Sequence, residues 1–283
     1  MAASRFDMNR ENQWCPGCGN FGVLKAMKDA FEGLDLFPED LLLVGGIGQS
    51  GKTVGYLAGN MLHALHGRAL PLATGAKIAN QDLTVIISAG DGDSYGEGGN
   101  HLVSAIRRNI DITLLVHNNQ IYGLTKGQAS PTSSLGMTTK AQPQGVTSTA
   151  FNPIAMALSA GIGFVAQGFS GDTDQLTRLI KQAISHKGFS MVDIFQPCVS
   201  FNRINTFHWY KERVYDLADT GHDTSDLGKA FALSQTDAAA IPTGVIYERQ
   251  APDFHQRQGV LKNRGLRDYR FSKEKMNDIL GKA

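Results

Sequence analysis

Three groups of residues have types and spacings that could do chemistry. Gly46-Ile-Gly-Gln-Ser-Gly51-Lys52-Thr53 reads Gly, four residues, then Gly-Lys-Thr. In a phosphate-binding loop, backbone N–H groups cradle phosphates and the lysine reaches the terminal one. A Gly-rich turn that approaches some other ligand would look the same. Gly90-Asp91-Gly92-Asp93 comes next, with Asn118-Asn119 following 28 residues after Asp91 at its second asparagine. A carboxylate and an amide oxygen are hard ligands of the kind Mg²⁺ takes. The third group is Cys15-Pro-Gly-Cys18, with Cys198 far along the chain. Two thiolates two residues apart can chelate one metal site, and Pro-Gly gives the tight turn between them. Zinc, an iron–sulfur centre, a redox pair and inert thiols all remain open. A redox pair normally opens a helix after a strand, and nothing strand-like precedes Cys15.

The elements that must position these residues alternate along the chain. Leu41–Gly45, Leu83–Ala89, Ile112–His117, Phe164–Gln167 and Met191–Phe195 read as short apolar strands. Gly51–His66, Gly96–Arg108, Asn152–Ala160 and Asp172–His186 read as helices. Continuous apolar strands alternating with helices predict an α/β fold, a parallel twisted sheet with helices on both faces. Such sheets bind ligands at the carboxyl ends of their strands. Gly46, Gly90, Asn118 and Cys198 all follow strands at those ends. Gly123–Ser148 is rich in Gly, Ser, Thr, Pro and Gln, as functional or mobile loops are. From about Thr206 the alternation fades. Residues 1–205 are expected to form one domain, and 206–283 a polar extension packed on it or on a partner.

Composition narrows the classes. The 283 residues are 42% hydrophobic and 19% charged, which excludes a disordered chain. Lys plus Arg is 27 and Asp plus Glu is 26, so net charge is +1. That balance makes no electrostatic case for nucleic acid or an anionic membrane. Apolar runs are too short to span a bilayer, and the first residues lack a secretory apolar core. A cytoplasmic location is expected. Three cysteines make no disulfide framework.

The Gly-Asp-Gly…Asn-Asn spacing resembles that of thiamine diphosphate enzymes. The chain as a whole resembles the β subunit of 2-oxoacid:ferredoxin oxidoreductases, most closely the 2-oxoglutarate type. The matching segments are WCPGCGNFG from Trp14, GIG at Gly46 and HGRALPLATGAKIAN from His66. SAGDGDSYGEGGNH from Ser88, RRNIDITLLVHNNQIYGLTKGQASPTS from Arg107 and HKGFSMVDIFQPCVSFN from His186 continue the match. The resemblance covers about Trp14 to Asn202.

It implies a thiamine diphosphate-binding fold of the pyrophosphate type. Mg²⁺ would be held by Asp91, Asn119 and the Ile121 carbonyl. Ile47, Gly48, Gly90, Gly92, Asp93, Gly123, Leu124 and Thr125 would line the cofactor. Cys15, Cys18 and Cys198 would bind a 4Fe-4S cluster. A partner α subunit would finish the site, in a dimer of αβ heterodimers. The reaction would be oxidative decarboxylation of a 2-oxoacid with coenzyme A, or its reverse, with electrons passed to ferredoxin. Lys52, His66 and Leu124 are the residues expected to face substrate, Lys52 against the distal carboxylate of 2-oxoglutarate. Lys126 and Arg68 are neighbouring candidates, and Gly123–Ser134 would be a lid or interface loop. One departure stands out: the family places a fourth cysteine where this chain has Gln49. Pyruvate-type or broad 2-oxoacid specificity, a P-loop NTPase and a non-catalytic assembly subunit are the competing readings.

Overall fold

The computed structural model describes residues 4–236, 238–262, 264–270 and 272–281. The helices and strands that build the site run in chain order as follows. α1 spans Asn20–Gly33, β1 Leu41–Gly45, β2 Asn60–His63 and α2 Ala69–Ala79. β3 spans Thr84–Gly90, α3 Gly99–Arg108, β4 Thr113–Asn118, β5 Ile121–Tyr122 and β6 Gln128–Ala129. α4 spans Pro153–Ser159, β7 Phe164–Phe169, α5 Thr173–Ser185 and β8 Ser190–Phe195. α6 (Phe207–Lys211), β9 (Val214–Asp216), α7 (Leu227–Ser234) and β10 (Ile241–Glu248) follow.

Eight strands form one sheet in the order β2-β1-β3-β4-β8-β7-β10-β9. Every pairing is parallel except β7 with β10. The expected α/β fold is therefore present. The strands are apolar at consecutive positions because both faces are covered. Leu42 and Val44 of β1 belong to the apolar layer that also holds α2, α3 and α4, while Leu41 and Leu43 belong to the layer on the other face that holds α1 and α5. The period-2 alternation thus separates two apolar layers rather than a core from solvent.

Three expectations change. Gly51–His66 is not an α-helix: a six-residue 3₁₀ turn, Gly51–Tyr56, gives way to the edge strand β2. Gly51, Gly55 and Gly59 interrupt that stretch, and glycine disfavours helix interiors. The helix expected from Gly96 begins earlier. A wide π turn, Gly92–Glu97, starts directly after Asp91 and leads into α3. Such turns are frequent at functional sites. Finally, the segment after residue 205 is more than an appendage, because β10 and β9 extend the same sheet. Pro242 hid β10 from view, since proline argues against a strand interior.

Candidate thiamine site and cysteine cluster

The chain runs outward from β1 to β2 on one side and from β3 to β4 on the other. A crevice opens at such a reversal, outside the strands' carboxyl ends. The cleft here is lined by Ile47, Gly48, Gln49 and Ser50 after β1, and by Gly90–Asp93 after β3. His66, Asn119, Ile121, Tyr122, Gly123, Leu124 and Thr125 close the ring. It encloses about 500 Å³, counting space open to solvent. All the expected cofactor-lining residues meet there, with His66 and Leu124. Lys52 does not: it lies on the 3₁₀ turn beyond the lining.

The Gly46–Thr53 loop is closed on itself, which removes the P-loop reading. A Cβ on Gly51 would fall 1.7 Å from the Gly46 carbonyl oxygen. The Gly46 N–H donates to Ser88 O, and the Ile47 N–H to Asp93 Oδ1. These amides are taken, and no α-helix N-terminus follows to face a phosphate. Asp93 also accepts from the Gly67 N–H at 2.9 Å. His66 Nδ1 lies 3.1 Å from the same carboxylate, though not aligned as a hydrogen bond. Asp93, expected as a cofactor ligand, thus ties two loops together at the cleft wall.

Asp91 is 2% exposed. Its Oδ2 accepts the Ser130 hydroxyl at 2.5 Å and the Thr132 hydroxyl at 2.6 Å. Burial nevertheless pushes its pKa up. Thr132 Oγ1 also stands 2.9 Å from Asn118 Oδ1, and Asn118 Nδ2 donates to Asp193. Tyr95 OH donates to Asp193 Oδ1 at 2.6 Å. Burial raises the Asp193 carboxyl to about 6. Asn119 Oδ1 accepts the Ile121 N–H at 3.1 Å, which folds the two residues into one short turn.

This donor set fits Mg²⁺ on a diphosphate. A carboxylate, an amide oxygen and a peptide carbonyl stand at adjacent strand ends, as a hard cation requires. Gly48, at φ +113°, and Gly123 have nothing within 4 Å where a side chain would project. That open backbone is room for a ligand. Ser130 and Thr132 were not foreseen. Their segment read as part of a lid or interface loop, and Ser130, Thr132 and Ser133, just after β6, are buried within this chain. The run of hydroxyls in Ser-Pro-Thr-Ser-Ser was the available signal.

The three thiols also gather. Cys18 N–H donates to Cys15 O around Gly17, whose φ is +78°. Ser200, two residues beyond Cys198, donates to Cys15 Sγ at 3.1 Å. Burial raises Cys18 to about 11, and negative charge on Cys198 and Cys15 adds to that. Gln49 adjoins this group: its carbonyl accepts the Trp14 indole N–H at 2.9 Å. Its side-chain Oε1 is buried with no hydrogen-bond partner. Three soft thiolates fit an iron–sulfur cluster, with one corner left to a non-thiolate ligand. Among the described residues, no three His, Cys, Asp or Glu side chains are close enough to hold a single metal ion.

Comparison with known proteins agrees with the geometry. Residues 46–194 match the family described as thiamine pyrophosphate enzyme, C-terminal TPP binding domain. Residues 198–263 match the C-terminal family of the pyruvate ferredoxin oxidoreductase beta subunits. The chain is 46% identical over 251 residues to the 2-oxoacid:ferredoxin oxidoreductase subunit beta of Saccharolobus solfataricus, covering 84% of this chain and 82% of that one. It is 36% identical to the 2-oxoglutarate synthase subunit KorB of Methanocaldococcus jannaschii, with 85% and 89% covered. A solved 2-oxoglutarate:ferredoxin oxidoreductase from Magnetococcus marinus, with 2-oxoglutarate, coenzyme A and succinyl-CoA bound, superposes with a TM-score of 0.87. Identity there is 35%, over 99% of this chain and 91% of that chain. The cleft at the β1/β3 reversal, the Asp91–Asn119 pair and these relatives agree: the chain belongs to the β subunits of the 2-oxoacid:ferredoxin oxidoreductases.

Proposed function

We propose that this subunit works on 2-oxoglutarate, in oxidative decarboxylation to succinyl-CoA or the reverse carboxylation. Asp91, Asn119 and the Ile121 carbonyl hold Mg²⁺ and through it the cofactor diphosphate. Thiamine diphosphate supplies a nucleophilic carbon for the keto group and a sink for the electrons left when CO₂ departs. Ser130 and Thr132 orient the Asp91 carboxylate. The π turn from Gly92 presents its first N–H groups at the end of β3, where a diphosphate gains from them. His66 and Leu124 form the substrate wall. Cys15, Cys18 and Cys198 hold a 4Fe-4S cluster, which supplies single-electron transfer toward ferredoxin. The active site is finished by an α subunit, in a cytoplasmic dimer of αβ pairs.

The observation that carries this reading is the meeting of Asp91, Asn119 and Ile121 in one cleft. The 2-oxoglutarate preference is supported by the names of the relatives and by the ligands of the superposed structure. Among the described residues, the cleft lining holds no Lys or Arg to meet a distal carboxylate. The test is the αβ complex purified without oxygen, assayed for coenzyme A-dependent ferredoxin reduction with 2-oxoglutarate and with pyruvate. The expected result is a higher kcat/KM for 2-oxoglutarate, with thiamine diphosphate binding abolished by Asp91→Ala. Equal or better use of pyruvate overturns the substrate, and unchanged cofactor binding in Asp91→Ala overturns the site.

A further inference from the structure

Gln196 follows β8 directly and is 1% exposed. Its backbone N–H donates to Asn118 O, which carries the β4–β8 ladder one residue past the strands. The side chain then spans the two halves of the site. Oε1 accepts the Asn119 Nδ2–H at 3.1 Å. Nε2 donates to Cys18 Sγ at 3.5 Å and to Pro197 O at 2.9 Å. Both amide protons and the carbonyl oxygen are therefore engaged. Room for this comes from Gly19, where a Cβ would fall 2.9 Å from Gln196 Nε2. One buried side chain thus touches a candidate Mg²⁺ ligand at one end and a candidate cluster ligand at the other.

The two ends have different consequences. Asn119 has one donor end and one acceptor end. With Nδ2 held by Gln196, its Oδ1 must present the other way, where it meets the Ile121 N–H. This fixes which amide atom is offered to a cation, as outer partners of metal ligands do. At the other end, an N–H donated to a cysteine sulfur stabilises the more electron-rich state of thiolate-bound iron. Hydrogen bonds to sulfur are among the factors that set cluster potentials.

We propose that Gln196 is a positioning residue shared by both cofactors: its carbonyl sets the Asn119 amide for Mg²⁺, and its N–H raises the potential of the Cys18-bound cluster. This rests on the Mg²⁺ and cluster assignments proposed above. An amide is suited to the task, because few side chains accept at one atom and donate at the next.

The test uses the αβ complex purified anaerobically, with two variants and two readouts. Mg²⁺-dependent thiamine diphosphate affinity is measured by titration, and the cluster midpoint potential by EPR-monitored redox titration. In Gln196→Leu both contacts are gone. Cofactor affinity is expected to fall about tenfold to a hundredfold, the range for lost outer partners, and the midpoint to fall with it. In Gln196→Glu, studied at pH 8, the ionised carboxylate accepts from Asn119 but cannot donate to sulfur. Affinity is then expected to stay near wild type while the midpoint falls. That split cannot come from a merely structural role, which would lower iron content or melting temperature in both variants and leave the potential alone. Loaded variants with wild-type potentials overturn the proposal, as does equal loss of cofactor affinity in both. In either case, wild-type iron and a loss of cofactor binding in Asp91→Ala leave the underlying site assignments standing. A wild-type complex without iron overturns the cluster assignment and this proposal together.

Discussion

At the scale of single residues, the site depends on side chains that hold other side chains. Ser130 and Thr132 both donate to Asp91 Oδ2. Replacing Thr132 with Val keeps the shape and removes the hydroxyl. Mg²⁺-dependent thiamine diphosphate affinity should fall about tenfold or more, read by titration of the αβ complex, while melting temperature changes little. Asp193 gives a pH signature. Its folded value of about 6 lies above the ordinary 3.8 because burial disfavours the charge. The folded state then binds more protons than the unfolded state across that interval. Stability from this group is full below about 4 and is lost as pH rises through 6. Asp193→Asn has no such loss. Its stability relative to wild type should climb as pH goes from 4 to 7, in chemical denaturation at each pH. A flat difference would mean Asp193 is ionised as easily folded as unfolded. Lys52→Ala should leave cofactor affinity unchanged, since Lys52 lies off the cleft lining.

At the scale of elements, the loop after β1 depends on one close contact between two glycines. Gly51 meets the Gly46 carbonyl so closely that any side chain must open the loop. Gly51→Ala should cost about 1–3 kcal/mol, the range of overpacking substitutions that force backbone shifts, with a lower melting temperature as the check. Much of this level was legible in the sequence. β1, β3, β4, β7 and β8 are apolar and short, and each lies within about two residues of where the pattern placed it. That Asp91, Asn119 and Ile121 would line one cleft was legible too, because strand ends in such sheets converge whatever the helices between them, while their reading as a ligand set came from the family resemblance. Other features were not. Gly51–His66 has apolar residues at helical spacing, but its glycines and a neighbouring strand drew it into the sheet edge as β2. Ser130, Thr132 and Gln196 are ordinary polar residues in sequence. Their partners Asp91 and Asn119 lie 39, 41 and 77 residues away, so the folded chain, not the local sequence, shows which groups they hold.

At the scale of the whole molecule, the cleft is open and the chain is one part of an enzyme. On its own, the β subunit should show no 2-oxoacid-dependent ferredoxin reduction, and co-expression with its α subunit should restore it. Activity in the isolated chain would show that no partner group is needed. No helix among the described residues is long and apolar enough to cross a membrane. The sheet itself is finished late. β7 joins the sheet only once β8, which ends at Phe195, has been made, and the strand that covers its outer edge, β10, runs from Ile241 to Glu248. A ribosome adding about 5–20 residues per second needs roughly 3–11 s to make the stretch from Phe195 to Glu248. Throughout that time the nascent chain displays a bare, apolar sheet edge of the kind that pairs with other chains. β1, β3, β4 and β8, whose carboxyl ends lead into the candidate site, are already synthesised while the protein is still vulnerable to self-association. A chain stopped after residue 236 should therefore accumulate as aggregate rather than as a smaller working domain, and sedimentation of the truncated product would show it.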